Sequence, residues 1–260
     1  MQSYENRFIV FLDILGFKDL VQKTTQDNSN FETISNALNY ISEVRNENYH
    51  GFLAQYDTTK KEVSVFSDSI VISYPGDTRG GLFFLLMDLV FICLQLNFNG
   101  IFVRGGVTFG SLYHKRNICF GPAMITAYEM EQNYSITPRI IVDTIAIANG
   151  LKSPGYANTC EEEAEYLAHL LKQDEEDEQI YLDFLSQSEE LDFQEDYPYY
   201  LNEIKSSIIK NLIETKDRAN IYSKYIWYAK YYNNTIEALY GNYDDLKSEL
   251  LIDENYISKN

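Results

Sequence analysis

Two aspartates carry the strongest chemical signal in this chain. Asp13 sits in the segment FIVFLDILGF and Asp68 in VSVFSDSIVIS. Both segments are strongly apolar, and an unpaired carboxylate is costly in such surroundings. Two carboxylates at adjacent strand ends can share divalent ions, because hard oxygen ligands suit Mg²⁺ or Mn²⁺. The alternative for each alone is an Asp that ends or caps a strand at the surface. Gly16 and Phe17 follow Asp13 at a helix start. Free backbone N–H groups there form a natural phosphate cradle, and the plainer reading is a tight strand–helix turn. Arg104-Gly105-Gly106 places a cation and two small residues on a strand. The glycines admit close approach by a ligand or by a packed helix.

Other chemistries are poorly represented. No Ser/His/Asp triad is readable, and the three histidines (His50, His114, His169) are scattered, which suggests surface roles. Gly80-Gly81 lacks the lysine of a P-loop and reads as a helix-start loop. Cys93, Cys119 and Cys160 are far apart and odd in number, so neither a zinc site nor a disulfide framework is expected. A reducing cytoplasm fits this usage. With 21 basic and 39 acidic residues the net charge is −18, which argues against a nucleic-acid polymer as partner. A mononucleotide is compatible, since a divalent ion neutralises its phosphates locally. The N-terminus lacks the basic region of a signal peptide. The longest apolar stretch, Gly81–Leu96, is interrupted by Asp88 and reads as too short and too polar to span a bilayer. The expectation is a soluble, cytoplasmic protein without membrane insertion.

These residues need elements to hold them. Phe8–Leu12 reads as a buried strand that stops at Asp13, and Phe31, Ile34, Leu38 and Ile41 give Asn28–Val44 helical spacing. Glu62–Tyr74 alternates as two strands joined tightly at Asp68, ended by Pro75-Gly76-Asp77. Leu82–Leu96 reads as an apolar helix, Ile101–Thr108 and Asn117–Phe120 as strands, Ala123–Gln132 as a helix led by Gly121-Pro122, and Arg139–Asp143 as a strand. The order β-α-α-β-β-α-β-β-α-β predicts an α+β layer of helices on an antiparallel-rich sheet. Beyond residue 150, Cys160–Glu178 reads as a solvated acidic helix face or loop, Tyr181–Leu185 as an edge strand and Tyr200–Asn233 as helical.

In this order the segments FLDILGF, VFSDSIVIS, VRGGVTFG and FGPAMITAYEMEQ resemble those of class III nucleotide cyclases, over roughly residues 6–143. More closely, the chain resembles the pyrimidine cyclases of bacterial Pycsar anti-phage systems. The resemblance implies a cyclase-type, ferredoxin-like core, in a domain expected over residues 1–186; residues 187–260 read as a helical C-terminal extension packed on it. It implies conversion of UTP to 3′,5′-cyclic UMP and diphosphate, with CTP and cyclic CMP the nearer alternative. It implies two Mg²⁺ or Mn²⁺ ions held by Asp13 and Asp68, with the Ile14 carbonyl as an added ligand and Gly16 and Phe17 at the substrate. A homodimer and a separately encoded effector gated by the cyclic nucleotide are also implied.

The departures from the family are as informative. The helix positions that carry Asn and Arg in purine cyclases hold Ile125 and Glu129, and the purine-reading Lys and Asp positions hold Glu62 and Ile118. Another cation must then balance charge at the α-phosphate, and Lys115 and Arg116 are the candidates. Tyr56 is the candidate to stack on the base, and Arg104 to reach its oxygen acceptors. Against these stand solvated-turn roles for Lys115 and Arg116, core packing for Tyr56 and an acid partner for Arg104. The competing function is a non-catalytic nucleotide sensor on a cyclase fold.

Overall fold

The computed structural model describes residues 3–25, 28–44, 60–191 and 194–257. Strand β1 (Glu5–Ile14) is buried continuously from Arg7 to Leu12, which is why its sequence reads as an unbroken apolar run. It does not stop at Asp13: pairing with β4 continues through Ile14, opposite Val103, while the ladder with β3 ends at Asp13 opposite Ser69. Helices α1 (Phe17–Thr24) and α2 (Asn28–Val44) lead to the hairpin β2 (Glu62–Phe66) and β3 (Ser69–Pro75). Then follow α3 (Gly81–Phe98), β4 (Val103–Lys115), β5 (Ile118–Phe120), α4 (Pro122–Asn133), β6 (Ile140–Val142) and α5 (Thr144–Gly150).

The sheet order is β2-β3-β1-β4-β6-β8-β7, with β5 paired to β4. Here β7 is Leu171–Gln173 and β8 is Ile180–Leu182. All pairings are antiparallel except β4 with β6. The architecture is therefore α+β on a mostly antiparallel mixed sheet. The segment expected at the edge becomes β8, flanked by β6 and β7, and β7 takes the edge instead. The acidic stretch preceding it is ordered as α6 (Cys160–Leu170), begun by a capping box between Thr159 and Glu162.

Alternate residues of β1 face two layers. Phe8, Val10 and Leu12 join the main core with α2 and α3, while Ile9 and Phe11 meet Ala123 and Ala127 of α4. Helix α3 is long and apolar enough to cross a membrane by length and composition, contrary to the sequence expectation. Its environment decides its role: it is 78% buried inside the protein. Each fully buried Leu or Ile there contributes about 1.5–3 kcal/mol.

The C-terminal helices are α7 (Tyr197–Thr215), α8 (Ala219–Tyr240), α9 (Asp244–Leu250) and α10 (Glu254–Ile257). The helical stretch expected over 200–233 is thus two helices with a break at Lys216–Arg218. Their apolar faces (Ile204, Ile208, Leu212, Tyr228) belong to the same core as α3. Phe102, just before β4, holds α8 in place: its ring meets Tyr225 and Tyr228 edge-on at 5.6 and 5.1 Å. The Tyr228 hydroxyl donates to Asn97 Oδ1 at 2.5 Å.

Candidate functional site

The two aspartates meet at one end of the sheet. Asp13 of β1 lies opposite Ser69 of β3 on one side and Arg104 of β4 on the other. Asp68 occupies the β2–β3 turn beside it, and its carbonyl accepts the Ile14 N–H at 3.0 Å. That bond ties the turn to the end of β1. Burial raises the pKa of Asp13; Arg104 opposes the shift, and the charge of Asp68 adds to it. The two carboxylates therefore sense each other. No hydrogen bond or ion pair holds the Asp68 carboxylate among the described residues.

Arg104 is clamped between two acids. Its Nε donates to Asp13 Oδ2 at 3.1 Å. Its Nη2 lies 2.5 Å from Glu131 Oε1, an ion pair whose direction falls outside hydrogen-bond geometry. The Glu131 side chain is fully buried, and Arg104 is only 17% exposed. Burial raises the Glu131 pKa against the pull of Arg104. Glu131 reaches this position because α4 packs tightly on β4. A Cβ at Gly106 would stand 2.5 Å from Met130 Cβ and 2.9 Å from the Ala127 carbonyl. Of the two approaches Gly106 allows, the packed helix is the one present.

Gly16 heads α1 with φ 71°, a left-handed conformation that favours glycine, and no side chain caps the helix. A cavity of about 160 Å³ opens there, lined by Gly16, Asp19, Lys23, Arg218 and Lys224 among others. Lys224, on α8, is half-buried and interacts with Asp13, Glu131 and Arg104. Burial and the repulsion of Arg104 lower its pKa, while the two acids oppose that shift.

The remaining expected residues, Phe17 apart, lie away from Asp13. Phe17 is the first residue of α1, partly buried against the main core. Lys115 and Arg116 sit at the far end of β4, eleven residues or roughly 36 Å from Arg104 at strand rise. Ser64 donates to the Arg116 carbonyl, and Glu62 accepts the Arg116 N–H. Ile118 and Ile125 are exposed, as is Glu129. His114 is buried rather than at the surface, hydrogen-bonded between Ser64 and Ser73 at 2.9 and 2.8 Å. Tyr56 lies outside the described residues.

No family model and no curated protein matches this chain.

Sequence reasoning missed Glu131 and Lys224. For Glu131 a signal existed: it falls four residues after Ala127 and eight after Ala123, on the apolar face of α4. For Lys224 none did, because its closeness to Asp13 arises only when α8 docks on Phe102. Asp13 and Asp68 are the residues that could hold a hard cation such as Mg²⁺. Asp13 keeps one oxygen clear of Arg104, and Asp68 carries a carboxylate beside it. No cluster of three or more metal-ligating side chains occurs among the described residues. Mg²⁺ sites on phosphate substrates use one or two carboxylates, with waters and phosphate oxygens completing the shell.

Proposed function

We propose that this chain is a nucleotide cyclase of class III type, acting on a pyrimidine nucleoside triphosphate, UTP first and CTP as the nearer alternative. The observation that carries the reading is the hydrogen bond from the Ile14 N–H to the Asp68 carbonyl. It brings the two expected metal aspartates together at one sheet end, three residues before an uncapped helix start. The order β4-β1-β3-β2, with helices crossing between β1 and β2 and between β3 and β4, supports the ferredoxin-like core that such an enzyme needs.

In this reading the ribose 3′-oxygen bonds to the α-phosphorus while the bond from that phosphorus to the β-phosphate's bridging oxygen breaks. Diphosphate leaves, and the 3′-hydroxyl proton passes to solvent. Divalent ions at Asp13 and Asp68 would acidify the 3′-hydroxyl and neutralise the phosphates. Arg104 fixes the orientation of Asp13, Glu131 fixes Arg104, and the free N–H groups of α1 offer donors to phosphate. A symmetric dimer is part of the proposal: Ile118, Phe120, Ile125 and Tyr128 leave an exposed apolar surface on β5 and α4. Lys115 and Arg116, remote from Asp13 within one chain, would serve only from a second copy. The cyclic product would act on a separately encoded effector.

The Arg104–Asp13 ion pair favours a second reading, because it competes with a cation for one Asp13 oxygen. That reading is a nucleotide sensor without turnover. Incubating the pure protein with all four NTPs and Mn²⁺, followed by mass spectrometry, separates the two. A cyclic pyrimidine product supports the cyclase; bound but unconverted nucleotide supports the sensor.

A further inference from the structure

The C-terminal helices do more than cover the core: they reach the candidate site. Lys224 immediately precedes Tyr225, whose ring and that of Tyr228 hold Phe102 two residues before Arg104. The lysine is therefore fixed relative to the sheet end that carries Asp13. It lines the same cavity as Gly16. The other two cations there are already engaged, Lys23 with Glu214 at 3.0 Å and Arg218 with Asp19 at 3.1 Å. Lys224 forms no ion pair or hydrogen bond among the described residues. At about 160 Å³ the cavity is well below the ~300–1,000 Å³ of small-molecule pockets and suits a phosphate-sized group.

We propose that Lys224 contacts phosphate oxygens of the triphosphate substrate, so that α8 forms one wall of the site. A half-buried cation that lines this cavity beside the α1 start, with no ion-pair partner among the described residues, is placed for an anion entering the cavity. It supplies the charge that Ile125 and Glu129 cannot. The lysine is a compact donor with three N–H groups, able to follow a phosphate as it shifts during the reaction. This inference rests on the cyclase reading for its substrate.

The test measures binding of inorganic triphosphate with Mg²⁺ by calorimetry, for wild type, Lys224→Gln, Lys224→Arg and Lys230→Gln. Lys230 lies on the same helix but faces Glu176 at 3.9 Å, so its variant controls for the loss of one positive charge from an acidic protein. Loss of a charged hydrogen bond predicts that Lys224→Gln binds roughly tenfold to a hundredfold more weakly. Lys224→Arg should stay within a few fold of wild type, and Lys230→Gln should match it. Unchanged thermal melting would show that the half-exposed substitution leaves the fold intact. Wild-type binding by Lys224→Gln overturns the inference, and NTP turnover by wild type would then leave the cyclase reading standing. Failure of wild type to bind triphosphate overturns it as well; absence of turnover, scored separately, counts against the cyclase reading itself.

Discussion

Arg104 faces Asp13 across the β1–β4 ladder and grips one of its oxygens at 3.1 Å. The pairing is set twice, once by backbone register and once by the side chains. It converts an arginine that sequence alone leaves open, between base reader and ion-pair partner, into a link between Asp13 and the buried Glu131. Asp13 thus keeps one oxygen oriented and one available, beside the Asp68 carboxylate.

Replacing either carboxylate by its amide tests the site directly. Asp13→Asn and Asp68→Asn should each reduce cyclic-nucleotide formation about a hundredfold to a thousandfold, an order typical of losing a main electrostatic element of catalysis. Circular dichroism should show the fold retained, since an amide fills the same volume. Product at the wild-type rate from either variant would remove these residues from the chemistry.

The outcome at these positions shows what a sequence can and cannot reveal. Asp13 and Asp68 are legible because a charge within an apolar strand or at the tight turn between two of them is a local anomaly, visible without knowing the partner strand. Their meeting was legible in part, through the tight hairpin at Asp68. The clamp on Arg104 was not, because it depends on the close approach of α4 to Gly106. The edge position of β7 and the burial of His114 depend likewise on strand order, which local periodicity does not encode. Lys224 comes from a helix some 210 residues after Asp13, docked through aromatic contacts that no short motif announces.

Gly106→Ala probes the approach of α4. The added methyl would collide with Met130 and the Ala127 carbonyl of α4. Overpacking of this kind costs about 1–3 kcal/mol. Urea unfolding should show that loss, and any activity should fall with it as Glu131 moves away from Arg104. Unchanged stability would mean that α4 shifts freely and does not fix the site.

A second buried charge pair lies in the core, toward the end of β3 away from Asp13. Lys61 Nζ lies 3.2 Å from Asp88 Oδ2 in α3, and the Tyr74 hydroxyl donates to the same oxygen at 2.7 Å. Asp88→Ala should destabilise the protein by about 3–5 kcal/mol, because it removes the carboxylate that faces the buried Lys61 ammonium and accepts the Tyr74 hydroxyl. The double variant Lys61→Met/Asp88→Leu should recover most of that loss. Equal midpoints for the single and double variants in chemical denaturation would contradict a desolvation origin.

Alkaline pH should expose the packing of the buried tyrosines, most of them on the C-terminal helices. Burial raises the pKa of Tyr74, Tyr181, Tyr197, Tyr225, Tyr228, Tyr231, Tyr232 and Tyr240 above the ordinary value of 10, with Tyr225 at about 12. A folded-state pKa above the unfolded one means the native state holds its protons longer. The associated stability is complete below pH about 10 and is lost as pH rises through the folded values. Ultraviolet titration should therefore show these phenols ionising late, together with loss of helical signal. Ionisation of all tyrosines at one midpoint near 10, with the fold intact, would refute this.

Arg104→Ala separates a reader of the base from a brace. Two of its nitrogens already serve Asp13 and Glu131, and the Glu131 side chain has no exposed surface. Removing the guanidinium leaves that carboxylate buried beside Asp13 without its counter-charge, which costs about 3–5 kcal/mol. Adding Glu131→Gln removes the stranded charge, so the double variant should regain part of the lost stability. Measured by denaturant unfolding, this non-additivity identifies the clamp. The ratio of UTP to CTP use should meanwhile stay as in wild type, because the guanidinium acts through Asp13 rather than through the base. A shifted nucleotide ratio in a variant of wild-type stability would reverse the assignment and place Arg104 against the pyrimidine ring.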